Sequence, residues 1–116
     1  MHDETFRDFV CDQLLPLGQV ECRPMFGCHG LYQEGVFFGI IARGQLYFKT
    51  NAATRAAYVQ RGQQPFRPNT RQTLKNYYAV PVDILEDHAQ LTTWARQAIA
   101  CQVTGDTSQR TPRRRR

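Results

Sequence analysis

Three apolar runs follow one another in the middle of the chain: Leu31-Tyr32, Val36 to Ala42, and Leu46-Tyr47-Phe48. Glu34-Gly35 and Arg43-Gly44 separate them. A polar residue followed by glycine between apolar runs is the signal of a two-residue hairpin turn, whose central positions need positive φ. Two consecutive hairpins are therefore predicted. In the second, Ala42 faces Gln45, Ile41 faces Leu46, Ile40 faces Tyr47 and Gly39 faces Phe48. In the first, Gln33 faces Val36, Tyr32 faces Phe37 and Leu31 faces Phe38. Opposed residues share a face and sequence neighbours alternate. One face then holds Tyr32, Phe37, Ile41, Leu46 and Phe48. The other holds Leu31, Val36, Phe38, Ile40 and Tyr47, with His29 and Lys49 beside them. A one-residue slip would exchange the two sets.

Helical spacing marks the flanks. Phe6, Phe9, Val10, Leu14 and Leu17 predict a helix over Asp3 to Leu15, stopped by Pro16 and Gly18. Gln19 to Arg23 reads as a short first strand. Asn51 is a good N-cap for a second helix, with Gly62 as its stop. Pro65 and Pro68 allow at most a weak edge strand. Thr73 to Val80 alternates and suits a strand, ended by Pro81. Leu91, Trp94, Ala95, Ala98 and Ile99 form one helical stripe, capped by Asp83 or Asp87, with Trp94 expected buried against the sheet. The order is α-β-β-β-β-α-β-β-α, with the fifth strand weak. That is a two-layer α+β domain, an antiparallel sheet of about five strands with three helices.

Charge divides the chain. Before Arg110 there are ten basic and ten acidic residues, so the body is formally neutral. The net charge of +5 comes from Arg110 and from Arg113, Arg114, Arg115 and Arg116. From Thr104 onward the composition predicts disorder. The expected organisation is a domain over residues 1–103 and an arginine-rich tail over 104–116. Any nucleic-acid contact is expected from Arg113 to Arg116, without sequence preference, because phosphate contacts position a protein without reading bases. No apolar run approaches a membrane span and no signal peptide is recognisable at the start, so a cytoplasmic protein with reduced thiols is expected.

Read in order, Arg23-Pro-Met-Phe-Gly27, Gly30-Leu-Tyr32, Gly35-Val-Phe-Phe38, Leu46-Tyr-Phe-Lys49, Pro65-Phe66, Tyr77-Tyr-Ala-Val-Pro81 and Leu91 to Ala98 resemble the N-terminal domain of the TfoX/Sxy family, the bacterial regulators of natural competence. The resemblance spans Phe6 to Cys101. It implies one sheet with helices on one side, and a part in transcriptional activation alongside a cyclic-AMP receptor protein. It brings no catalytic residues and no cofactor. Against the family pattern, an arginine-rich tail is expected where the regulators carry a C-terminal domain, and Cys28 stands where members commonly have a second glycine.

Chemistry-bearing residues are few. The one serine, Ser108, lies in the expected tail, which argues against a serine hydrolase. Cys28 and His29 are adjacent, and on a strand they point to opposite faces, so a buried structural cysteine is favoured over a thiol–imidazole pair. Cys22, Cys28 and His29 match no common zinc spacing. Phe-Gly-Cys-His-Gly lacks the lysine of a phosphate-binding loop. Tyr77 and Tyr78 with Arg67, Arg71 and Lys75 mix rings and cations as single-strand binders do, although a neutral body favours an ordinary strand beside a solvated loop. The expected function is that of a non-enzymatic interaction module with a protein partner and no metal or cofactor. Three helices cover only one side of the sheet, so the face of Leu31, Val36, Phe38, Ile40 and Tyr47 is expected at an interface, in a homodimer or with a partner. The alternative is a nucleic-acid accessory protein acting through its tail.

Overall fold

A computed structural model describes residues 2–25 and 27–110, with side chains over 5–25 and 27–102. Phe26 of the Met-Phe-Gly segment and Arg113 to Arg116 lie outside the described residues. Helix α1 (His2–Gln13) and a single 3-10 turn (Leu15–Leu17) lead into β1 (Val20–Met25), β2 (Cys28–Gln33), β3 (Val36–Ala42) and β4 (Gln45–Lys49). Then come α2 (Ala52–Gln60), β5 (Pro65–Asn69), β6 (Gln72–Ala79), the one-turn α3 (Val82–Leu85) and α4 (His88–Arg110). The antiparallel sheet runs β1-β2-β3-β4-β6-β5, so the proline-bearing strand is a true strand at an edge. Helix α4 is continuous past Thr104, so the expected start of the tail falls inside it.

Local chemistry places the elements. Glu34-Gly35 and Arg43-Gly44 all have positive φ, which closes both hairpins. Asn51 Oδ1 accepts from the Thr54 N–H at 2.9 Å, and Thr54 Oγ1 accepts from the Asn51 N–H at 3.0 Å, a reciprocal cap that starts α2. Asp87, rather than Asp83, caps α4 by accepting from the N–H groups of Ala89 and Gln90. The Gln90 side-chain amide, donating to Oδ2 at 2.9 Å, and then these backbone bonds hold the Asp87 carboxyl below its ordinary range.

The β3–β4 register is the expected one at all four pairs. The β2–β3 register agrees at Gln33–Val36 and Tyr32–Phe37, then shifts, so that Leu31 pairs with Gly39. Phe38 is the extra residue of a β-bulge. A Cβ on Gly39 would lie 3.0 Å from Tyr47 O and 3.2 Å from Phe48 Cδ1, so a side chain where the strand bends would press on the neighbouring strand. Alternation breaks there. Phe38, Ile41, Leu46, Phe48 and Leu31 join one core beneath the helices, while Phe37 joins Ile40 on the opposite side. The expected placement of Leu31 and Phe38 on the uncovered face is thus inverted, and so is that of Tyr32 and Phe37 beneath the helices.

Helix α4 crosses β3 and β4, with α1 over β3 and α2 beside β6. Among the described residues, Leu91, Ala95, Ala98 and Cys101 are its buried apolar side chains, and Thr92 is buried beside them. Trp94 packs against this core but is half-buried rather than fully buried, with its ring edge-on to Tyr58 of α2 at 4.8 Å and beneath the Arg61 guanidinium at 5.6 Å. Arg61 also bonds Asp83 at 2.7 Å, which ties the end of α2 to α3 and lowers the Asp83 pKa.

Candidate functional site: the helix-free face of the sheet

Among the described residues no helix lies on the far side of the sheet, and its own edge strands curl over it. In a flat sheet β2 and β5 would be about 19 Å apart at the usual strand spacing. Here Met25 and Cys28 at one end and Phe66 and Leu74 at the other line a single cavity of about 540 Å³ with Phe37 and Arg43. Phe66 of β5 stacks on Tyr47 of β4 at 4.7 Å, and Arg43 Nη2 reaches from the β3–β4 turn to donate to Pro68 O at 3.1 Å. These contacts hold the β5–β6 hairpin over the face. Burial there raises the pKa of Tyr47, with Arg43 opposing.

The curl changes what is exposed. Ile40 lies on the helix-free face as expected, yet it is 1% exposed, packed in a cluster with Ala42, Phe66 and Tyr77. Val36 shares the helix side with its partner Gln33, whose amide reaches Leu17 O at 3.1 Å. Of Leu31, Val36, Phe38, Ile40 and Tyr47, only Tyr47 is both on the uncovered face and partly open to solvent.

A line of rings crosses this face instead. Tyr32 and Phe37 are 5.1 Å apart between centroids, and Phe37 and Tyr77 are 5.7 Å apart. A cation stands at each end: Arg23 Cζ lies 4.5 Å over Tyr32, and Lys49 Nζ lies 5.4 Å over Tyr77. Lys49, to which sequence reasoning gave no role, therefore closes the row. Such stacks hold a guanidinium or ammonium in place, and Arg23 Nη2 also donates to Glu21 Oε1 at 2.9 Å, which leaves its other N–H groups for an acidic ligand.

Charge follows the layers. The sheet and its hairpin turns carry Arg23, Arg43, Lys49, Arg67, Arg71 and Lys75 against only Glu21 and Glu34. The other eight acidic residues before Arg110 lie on α1 or from α3 onward. The neutral body is thus the sum of a basic sheet and an acidic helical layer, a division that a net count conceals.

Catalytic groupings are sparse here. Among the described residues, no group of three or more His, Cys, Asp or Glu side chains is placed to hold a metal ion. Cys22 packs on the helix side and Cys28 on the other, so the Cys22–Cys28–His29 set is split across the sheet. His29 pairs with Ile41, a helix-side residue, so it too points away from Cys28. No described helix is long and apolar enough to cross a membrane.

A two-layer α+β domain with one sheet face beneath helices and the other formed of rings and cations is the class these features define. The family model described as the TfoX N-terminal domain matches residues 12–102, and the chain belongs to that family, which is not known as an enzyme family. No curated protein matches the chain.

Proposed function

We propose that this domain is a non-enzymatic regulatory module of the TfoX kind that docks an acidic protein partner on the helix-free face of its sheet. It acts in the cytoplasm, in transcriptional regulation of competence genes, with the transcription machinery or a cyclic-AMP receptor protein as partner. The observation that carries the docking reading is the row Arg23–Tyr32–Phe37–Tyr77–Lys49, three rings between two stacked cations. Aromatic and arginine side chains are the usual anchors of interfaces. The test is a pull-down from the native cell with nuclease treatment, repeated with the Tyr32→Ala/Arg23→Ala variant. A partner that survives nuclease and is lost with the variant supports the reading. One that binds the variant equally well refutes it. A homodimer through Tyr47 and its neighbours would occupy the same face, and sedimentation across a concentration series detects it.

The basic sheet also favours a second reading, a nucleic-acid accessory protein. Each phosphate contact on duplex DNA adds about −0.9 to the slope of log affinity against log salt, so the five tail arginines account for no more than roughly −4 to −5. If the tail alone binds, removing the residues after Gln109 abolishes binding and leaves the melting temperature unchanged. A steeper slope, or binding that survives the truncation, assigns the contact to the sheet.

A further inference from the structure

The chain crosses from α1 to β1 through the turn at Pro16 and Gly18, which lays the helix beside the first strand. Cys11 and Cys22 meet there, with their sulfurs 3.4 Å apart. Both are half-buried, and Cys22 packs against the helix-side core. A disulfide needs its sulfurs about 2.05 Å apart, so they need close by little more than one ångström. Cys28 is on the opposite face and Cys101 is buried against Thr54, so neither competes for this pairing. Spacing gave no hint of it, because the pair is made by the fold and not by a Cys-x-x-Cys motif.

We propose that Cys11 and Cys22 form a peroxide-oxidisable dithiol, a modification site that locks α1 to the first strand of the sheet. The Cys11 thiolate attacks one oxygen of hydrogen peroxide. The O–O bond breaks, hydroxide leaves and takes up a proton as water, and Cys11 becomes a sulfenic acid. Cys22 sulfur then attacks the Cys11 sulfur. The S–O bond breaks, the S–S bond forms, and the departing hydroxide carries off the Cys22 proton as a second water. Two thiols are oxidised and one peroxide is reduced to two waters.

The surroundings assign the roles. The hydrogen bond from the Cys22 thiol lowers the Cys11 pKa to about 7, against the opposing effect of burial. Arg7, one turn earlier on α1, lowers it further, and Asp8 and Asp12 on the same helix oppose. The same bond and burial push the Cys22 thiol up. Cys11 is thus the thiolate that attacks peroxide and is oxidised first, and Cys22 is the resolving partner.

The test treats the full chain with hydrogen peroxide, alkylates the remaining thiols and measures intact mass. The expected result is a monomer that loses two alkylatable thiols together and regains both with dithiothreitol. In a Cys28→Ser/Cys101→Ser chain the same loss persists, which assigns it to Cys11 and Cys22. With Cys22→Ser, Cys11 proceeds to sulfinic acid, having no thiol to resolve it. The rate of pairing falls as pH drops below about 7, because the Cys11 thiolate is lost by protonation. The proposal is overturned if both thiols stay alkylatable after peroxide. It is also overturned if Cys11 reaches sulfinic acid in the unsubstituted chain while Cys22 stays free. Neither outcome bears on the docking reading, whose residues lie on the other face.

Discussion

The two faces of one sheet have been closed in different ways. On the covered face Leu31, Phe38, Leu46 and Phe48 are all 0% exposed beneath helices. On the other, Ile40 is buried by the sheet folding upon itself, within a shell of rings of which Phe37 and Tyr47 remain half-open. A covered face spends its large side chains on stability. A face sealed by curvature keeps rings at the surface, where a partner can reach them. Equal apolarity in sequence thus hides unequal availability in the fold.

Substitutions on the two sides separate these roles. Phe48→Ala removes a fully buried ring that packs on Phe38 at 5.9 Å, and it should cost about 3–5 kcal/mol by denaturant unfolding. Gly39→Ala forces a methyl against the Tyr47 backbone and should cost about 1–3 kcal/mol. A neutral or stabilising result there would mean that the bulge is not needed. Phe37→Ala removes a half-open ring between Tyr32 and Tyr77 and should cost only about 1–2 kcal/mol while abolishing partner capture. If Phe37→Ala destabilised as much as Phe48→Ala, the distinction between the faces would collapse.

Much of the fold was legible because two-residue turns fix register. Arg43-Gly44 allowed one pairing of β3 with β4, and that pairing is the one formed. Failure began at Phe38, where strict alternation was assumed through a strand that contains Gly39. A glycine inside a strand is itself the signal of a bulge, and it was present to be read. The curl of the β5–β6 hairpin left a fainter trace. Pro65 and Pro68 marked an edge, but the bend depends on Phe66 meeting Tyr47, a contact between residues far apart in sequence. Trp94 was legible in part: Leu91, Ala95 and Ala98 are buried in the core, and the indole packs at its margin against Tyr58, a contact between helices that the stripe alone does not show. The candidate site was least legible of all, since Arg23, Tyr32, Phe37, Lys49 and Tyr77 come from five strands and converge only through topology.

The division of charge between layers has a consequence for approach as well as for contact. A formally neutral body with an excess of positive residues on its sheet and an excess of negative residues on its helices has an electric dipole directed across its thickness. An acidic partner coming within a Debye length, about 8 Å at physiological ionic strength, exerts a torque on such a body before any side chains touch. The domain would turn its sheet toward the partner and its helices away, so a larger fraction of encounters would begin in the productive orientation. Neutrality in the count would then coexist with a salt-sensitive association rate.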